Sequence, residues 1–131
     1  MNKSLLGYLM MDEIPVSQPQ ARGKKRRSLR QIKIDDVRYF KKSGNYIYAY
    51  GLNVDGLLVE MARTALTVEA FKKKYWFLEN LIRINQSVIL NMNHVEVYQA
   101  EYLIIGNELF SVSKLGKEAV ASFLAKHDPN Y

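Results

Sequence analysis

The sequence predicts a mainly β domain of antiparallel strands, with one helix in mid-chain and a short helix near the C-terminus. Short segments alternate polar and apolar residues, as half-buried strands do, and Gly, Asn and Asp separate them at short intervals, as in hairpins. Nine Tyr and five Phe against one Trp also favour strands. The chain has 131 residues, 48% of them hydrophobic, which suits one domain with its own core.

The chain divides into a domain and its flanking segments. Residues 1–20 show no sustained period and are predicted to form an N-terminal tail, followed by a basic segment at 21–31. The regular pattern of residues 32–126 marks the domain, and residues 127–131 are predicted to be a C-terminal tail. The strands predicted in the first half are Ile32–Ile34, Val37–Lys41, Tyr46–Tyr50 and Leu57–Ala62, with turn residues at 43–45 and 53–56.

A helix is predicted after the fourth of these strands. Thr64 and Thr67 can cap a helix that begins near Leu66. Its apolar face is formed by Val68, Phe71 and Tyr75. Residues 76–78 are then predicted to fill the core as the chain turns back.

The stretch from Leu81 to Asn93 has the most unusual pattern in the chain. Its polar and aliphatic residues alternate, which predicts a strand with one solvated face. Hydrogen-bonding side chains crowd residues 83–87, directly before an aliphatic run. Such an edge presents a cationic donor and two amides to a partner. Arg and amide side chains make paired contacts with phosphates and base edges.

The C-terminal third is predicted to hold a hairpin and the closing helix. Tyr102–Ile105 and Glu108–Val112 flank Gly106-Asn107, a pair that is typical of a two-residue hairpin turn. Ser113 can cap the closing helix, whose apolar residues recur at four-residue spacing. Gly116 lies in the first turn of that helix and is expected to lower its stability.

Composition and motifs indicate a protein that is not an enzyme and that has no cofactor or metal. The chain has no Cys and only two His, too few for the usual zinc sites. The P-loop, the dinucleotide fingerprint and the GxSxG elbow are absent. Asp35 and Asp36 are adjacent, so in a strand they point to opposite faces and cannot act as a paired acid and base.

Charge and hydropathy indicate a soluble, cytoplasmic protein with no membrane partner. The apolar run in the first ten residues is too short to cross a bilayer, and no secretory cleavage pattern follows it. The formal net charge is +6, and residues 21–30 hold six basic residues and no acid. Such a block attracts polyanions and supplies sequence-independent affinity. The alternative reading of the block is a solvated linker.

The region from about Ile32 to Leu124 resembles the LytTR DNA-binding domain of bacterial transcriptional regulators. The resemblance rests on the segments IDDVRYFKKSGNYIYAY, LTVEAFKKKYWFLENLIRINQSVILNMNHV and ELFSVSKLGKEAV. In the middle segment, an aromatic-Arg stretch leads to a polar pair, Ser, aliphatics and Asn, as in the family signature. The family implies an elongated arrangement of small antiparallel sheets with a helix packed alongside. It also implies that loops enter successive major grooves and bend the duplex.

The resemblance implies which residues contact DNA. Base contacts are expected from Asn45 and Tyr46 after the first turn, from Gln86 before the signature Ser, and from Lys114 near the closing helix. Phosphate contacts are expected from Lys41, Lys42, Arg83, Asn85, Ser87, Ser113, Lys117, Arg22, Lys24, Lys25, Arg26, Arg27 and Arg30. Four of these would also position the backbone or brace the loops, namely Arg83, Asn85, Ser87 and Ser113.

Three positions depart from the family pattern and alter the expected base preference. Asn85 stands where His is frequent, and Gln86 is an amide where a cation is common. Gln pairs with adenine, whereas Arg or Lys favours guanine. Lys114 replaces the Arg fork with a point charge. About 30 residues precede the region, too few for the receiver domain of many family members, so no internal phosphorylation is expected.

The leading hypothesis is therefore a bacterial transcriptional regulator that binds specific double-stranded DNA through loops in the major groove. One alternative is a protein-interaction module whose basic segment docks an acidic partner. Another is a non-specific single-stranded nucleic-acid binder that stacks bases on Tyr46, Tyr48 and Tyr50, which share one face of a strand. Further partners to test are a second copy on direct-repeat sites, RNA polymerase, and a separate signalling protein.

Overall fold

The computed structural model describes residues 8–13, 29–99 and 101–128, and these are arranged mainly as antiparallel strands. The mainly β fold class, with one mid-chain and one C-terminal helix, is confirmed. The first sheet contains β1 (Tyr8–Asp12), β2 (Leu29–Lys33), β3 (Val37–Ser43), β4 (Tyr46–Leu52), β5 (Leu58–Thr64), β6 (Leu81–Arg83) and β7 (Val88–Asn91). The second sheet contains β8 (Val97–Tyr98), β9 (Tyr102–Ile105) and β10 (Glu108–Ser111). The helices are α1 (Val68–Lys74) and α2 (Lys114–His127), and 3-10 turns occupy Ile34–Asp36 and Met92–His94.

Strand β3 links the two parts of the first sheet, because it pairs with β4 on one side and with β7 on the other. The strand order is β2-β1-β5-β4-β3-β7-β6, and each pair is antiparallel. β3 forms a hairpin with β4 on one side and pairs with β7 on the other, where Lys41 lies opposite Val88. The end of the β3–β4 hairpin therefore lies beside the loop that joins β6 to β7.

The first sheet has a hydrophobic cluster on each face, because successive side chains of a strand point to opposite faces. Phe40 faces α1, and its ring centroid lies 4.9 Å from that of Phe71. Tyr39 points the other way, stacked on Tyr50 and edge-on to Phe110 of the second sheet, each at 4.8 Å. Side chains of α2 complete this second cluster. One face of the sheet is therefore covered by α1, and the other by the second sheet and α2.

Local sequence signals begin the helices and turns as predicted. The Thr67 hydroxyl accepts the N–H of Ala70 at 3.0 Å and caps α1. The Ser113 hydroxyl accepts the N–H of Gly116 at 3.1 Å and caps α2. The predicted turn between β9 and β10 is confirmed, and Gly106 has a φ of 59°, which glycine adopts at little cost.

The N-terminal segment differs from the expected tail at residues 1–20. Residues 8–12 form β1, which pairs along its length with β2 and reaches β5 through Asp12. Leu9 and Met11 are buried in the first cluster. Two inward residues in a five-residue strand are too few to produce a visible period. The domain also begins before residue 32, because β2 starts at Leu29.

Residues 76–78 fill the core only in part. Leu78 is buried, but Trp76 exposes 76% of its surface and Phe77 exposes 36%. The prediction is wrong for Trp76 and Phe77 because α1 ends at Lys74 and the chain turns there. Tyr75 occupies the core position instead, with its ring 4.9 Å from that of Phe71.

The predicted single strand within Leu81–Asn93 is instead the β6–β7 hairpin. Leu81 pairs with Asn91 and Arg83 with Ile89, and residues 84–87 form the loop between them. All four residues of β7 are buried. Both faces of the sheet are covered at this strand, so the expected solvated face does not exist there.

Candidate nucleic-acid interface

Three short segments with polar side chains lie next to one another at one end of the first sheet. They are residues 43–46 between β3 and β4, residues 84–87 between β6 and β7, and residues 113–117 at the start of α2. The N–H of Lys42, directly before the first segment, donates to the carbonyl of Ser87 at 2.7 Å and links that hairpin to the second segment. The N–H of Ser113 donates to the carbonyl of Ile84 at 2.8 Å, which joins the second to the third. We call these three segments the three-loop edge.

Arg83 holds the 84–87 loop from inside. Its Nε donates to the carbonyl of Asn85 at 3.1 Å, and its Nη2 donates to that of Gln86 at 2.8 Å. Its Nη1 donates to Glu69 at 3.1 Å. The pKa of the Glu69 carboxyl is lowered, first by a hydrogen bond from the backbone N–H of Glu69 and next by the hydrogen bond from Arg83. The guanidinium of Arg83 is therefore already engaged within the protein.

Asn85 fixes the turn of the same loop. Its Oδ1 accepts the N–H groups of Ser87 and Val88, each at 3.0 Å, and its Nδ2 donates to the carbonyl of Ser111 at 3.1 Å. The amide therefore satisfies the loop backbone and links it to β10. Gln86 projects from this braced loop with an exposed side chain.

The start of α2 approaches the same loop very closely. Gly116 is buried, and a Cβ on it would overlap the backbone of Ile84. Only glycine lets the helix start at this position. Lys114 is exposed, whereas the Nζ of Lys117 forms an ion pair with Glu101 at 2.8 Å.

The β3–β4 turn supplies the third segment. Gly44 has a φ of 58°, and Asn45 is exposed beside it. The ring of Tyr46 is half-buried, and the guanidinium carbon of Arg63 on β5 lies 4.0 Å from its centroid. Arg63 is missing from the sequence-based site, because only the strand register brings it beside residues 46–48.

The other predicted phosphate contacts fall into three groups. Lys41 is exposed, as is the predicted base contact Lys114, and neither forms a hydrogen bond or ion pair with the described part of the chain. Lys42 donates to the carbonyl of Leu66, and Arg30 donates to that of Met61, each at 3.1 Å. Arg30 lies on β2, four strands from β3, so the structure does not bring it to the three-loop edge. Five predicted contacts lie outside the described residues, namely Arg22, Lys24, Lys25, Arg26 and Arg27.

The described ranges show neither a cluster of metal ligands nor a membrane-spanning helix. Among those residues, no three potential metal-ligating side chains stand together. Neither helix there is long and apolar enough to cross a membrane.

The fold is similar to that of a solved DNA-binding domain. The structure matches the LytTr DNA-binding domain of a Bacillus cereus protein described as a methyl-accepting/DNA response regulator, with a TM-score of 0.55. The match covers 91% of this chain and 94% of that one, at 16% sequence identity. No protein-family model and no curated protein matches the sequence. The comparison therefore shows a LytTR-like fold.

Proposed function

We propose that this protein binds specific double-stranded DNA through the three-loop edge and acts as a bacterial transcriptional regulator. The observation that carries the proposal is the joining of the three segments by backbone hydrogen bonds to one sheet. Polar groups held on a rigid scaffold suit recognition better than the same groups on independent loops. The similarity to a LytTr DNA-binding domain supports DNA as the ligand.

In this proposal, the exposed tips read bases in the major groove. Asn45, Gln86 and Lys114 are exposed at the three segments, and Tyr46 is half-buried beside the first. The amide of Gln86 can donate to and accept from the edge of adenine, whereas the amine of Lys114 favours the acceptors of guanine. Each segment of the three-loop edge thus carries one exposed residue for base contact: Asn45, Gln86 and Lys114.

Electrostatics of α2 also favours an anionic ligand at this edge. The first turn of the helix carries Lys114 and Lys117 and no acid. A helix N-terminus is itself partly positive, so two cations there oppose the helix dipole in the free protein. Phosphates nearby would reverse this unfavourable interaction. The exposed ion pair of Lys117 with Glu101 is weak enough to be exchanged for a phosphate.

The remaining predicted contacts divide between phosphate binding and loop support. Lys41 is exposed on the strand that leads into the first segment, so we assign it to phosphate binding. The internal hydrogen bonds of Arg83, Asn85 and Ser113 favour loop support. Lys42, Ser87 and the basic segment at 21–31 stay candidate phosphate contacts.

The wider role follows from DNA recognition. A regulator of this kind acts in the cytoplasm, without catalysis or a cofactor. Two copies on a direct repeat, RNA polymerase and a separate signalling protein are its candidate partners. The protein-interaction alternative requires the basic segment to dock an acidic protein.

Single-strand binding on the tyrosine stripe has less support. Tyr50 is stacked on Tyr39 with 15° between the ring planes, and its hydroxyl donates to Glu60 at 3.0 Å. Arg63 lies over one face of Tyr46. The stripe therefore offers little free ring surface for stacked bases.

The test is selection of random duplexes by the purified full chain. The proposal predicts one enriched motif, bound more tightly than scrambled duplex and than either of its single strands. Equal binding to every duplex, tighter binding to single strands, or saturation by a protein alone would contradict it.

A further inference from the structure

Arg63 lies on the same sheet face as the aromatic residues beside the three-loop edge. In the antiparallel ladders it is opposite Tyr48, which is in turn opposite Lys41. Directly opposite residues share a face, so these three side chains form one row across β5, β4 and β3. The neighbouring row on this face ends at Tyr46 and Ser43, at the β3–β4 turn. The row of Arg63, Tyr48 and Lys41 therefore lies directly next to the Ser43–Tyr46 pair at the β3–β4 turn.

The guanidinium of Arg63 is poorly satisfied within the protein. Its Nε is buried and has no hydrogen-bond partner. Its other N–H groups make no hydrogen bond or ion pair with the described residues. By contrast, Arg83 donates three hydrogen bonds inside the protein, and Arg30 donates to the carbonyl of Met61. A part-buried cation with unmet donors is unfavourable and requires a reason.

The Nε is buried, whereas neither Nη of this half-buried side chain is both buried and without a partner, so the Nη groups are the donors that a ligand can reach. The guanidinium carbon lies over the ring of Tyr46, 4.0 Å from the ring centroid. Arginine can stack on a ring with its plane and still bind an anion through the donors at its edge. Lysine cannot perform both tasks, because its ammonium is a point charge.

We propose that Arg63 binds a backbone phosphate of the DNA and, through the same guanidinium, positions Tyr46 for its base contact. This inference rests on the function proposed above. Arg63 lies within β5, behind the exposed residues at the turns. When those residues enter the groove, the sugar-phosphate backbone at the rim of the groove would come next to Arg63. Lys41 lies two strands away, about 10 Å at normal strand spacing, and supplies a second cation along the same row.

The phosphate contact is tested by measuring the affinity for the selected duplex against salt concentration. Arg63→Gln should lower the salt slope by about 0.9 and the affinity by about eightfold at 0.1 M salt, the weight of one lost phosphate contact. Lys126→Gln is the matched control, because this exposed lysine lies in the last turn of α2, far from Lys114. The control should leave slope and affinity unchanged.

The positioning role is tested with Arg63→Lys, which keeps the charge and removes the planar contact. This variant should retain the salt slope but lose base preference at the position that Tyr46→Ala also relaxes. Adding Arg63→Lys to Tyr46→Ala should have little further effect on that preference, because coupled residues are not additive. If the double variant lost base preference by the product of the two single losses, the positioning role would be contradicted.

A direct readout follows the binding of duplex by the wild-type protein. The Nε–Hε resonance of Arg63, identified by its loss in Arg63→Lys, should shift and sharpen when wild-type protein binds duplex. An unchanged resonance, or an Arg63→Gln variant that equals Lys126→Gln, overturns the inference while duplex selection stands. Failure of the wild-type protein to enrich any duplex overturns the proposed function instead.

Discussion

Asn91 shows how one buried side chain can join separate segments. It is 1% exposed, and its Nδ2 donates to the carbonyls of Ile34 and Val37 at 3.1 and 2.9 Å. Its Oδ1 accepts the N–H of Asn93 at 3.1 Å. One amide therefore satisfies backbone groups before β3 and after β7, which would otherwise lose their partners.

Replacing Asn91 should destabilise the protein strongly. Asn91→Ala should lower the unfolding free energy by about 2–4 kcal/mol, because buried backbone groups lose their hydrogen bonds. Urea denaturation measures the change. Asn93→Ala is the matched control, since that side chain is exposed, and it should change stability by less than about 0.5 kcal/mol. Equal effects of the two substitutions would refute the bridging role.

Two stacked tyrosines make the fold sensitive to high pH. Burial, and next a hydrogen bond to Glu60, raise the pKa of Tyr50 from 10.0 to about 12. Burial and a hydrogen bond to Glu108 raise the pKa of Tyr39 well above its ordinary value. The folded protein thus holds protons that the unfolded chain loses above pH 10.

The resulting pH dependence has a definite sign. The stabilisation from both hydroxyls is complete below pH 10 and is lost as the pH rises toward 12, because the unfolded state binds fewer protons there. Denaturant unfolding at pH 9, 10 and 11 should show a falling midpoint. The double variant Tyr39→Phe/Tyr50→Phe should show a smaller fall. An identical fall would assign the effect to other groups.

At the scale of elements, the close contact between α2 and the 84–87 loop depends on one glycine. Glycine normally weakens a helix relative to alanine. Here Gly116 packs against the backbone of Ile84, which has no room for a Cβ. The start of α2 and the 84–87 loop therefore pack as one unit. The missing side chain of Gly116 sets the distance between them.

Gly116→Ala should reverse the usual helix preference. The substitution should destabilise the protein by about 1–3 kcal/mol through overpacking, and it should weaken binding to selected duplex by displacing the start of α2. Thermal melting and duplex titration measure the two effects. Ser122→Ala, at an exposed position of the same helix, is expected to change neither. A stabilised Gly116→Ala variant would disprove the close contact.

Replacing Arg83 distinguishes a role in loop support from a direct contact with phosphate. Its three internal hydrogen bonds predict that Arg83→Ala weakens duplex binding and loses base preference, with the salt slope unchanged. A direct phosphate contact would instead lower the slope by about 0.9. Titration at several salt concentrations distinguishes the two roles of this residue.

At the scale of the whole molecule, the proposed base recognition depends on exposed side chains at two hairpin turns and at the start of α2. Lys114→Ala should relax preference at one base position, costing about 1–3 kcal/mol for the selected duplex. Other positions of the motif should keep their preference, since the other two tips are unaltered. Lys126→Ala on the far end of α2 should have no effect. Unchanged discrimination by the Lys114 variant would remove it from the base contacts.

Local signals explain which parts of the fold could be predicted. Thr67, Ser113 and Gly106 act through bonds or dihedral angles within a few residues, so the pattern around them was sufficient. Strand β1 and the burial of β7 depend on distant partners, and the sequence pattern missed both. Arg63 was missed for the same reason, since its contact with Tyr46 arises from strand pairing.

The sequence by itself determined the mainly β character, the caps and turns, and the polar segments at 43–46, 83–87 and 113–117. These features follow from alternation, side-chain chemistry and backbone preference, which act over short distances along the chain. The tertiary structure alone decided that the three segments are neighbours, that Arg83 donates hydrogen bonds within the protein and that the Nε of Arg63 does not. Such relations depend on strand order and register, because pairing brings together residues that are far apart in the chain.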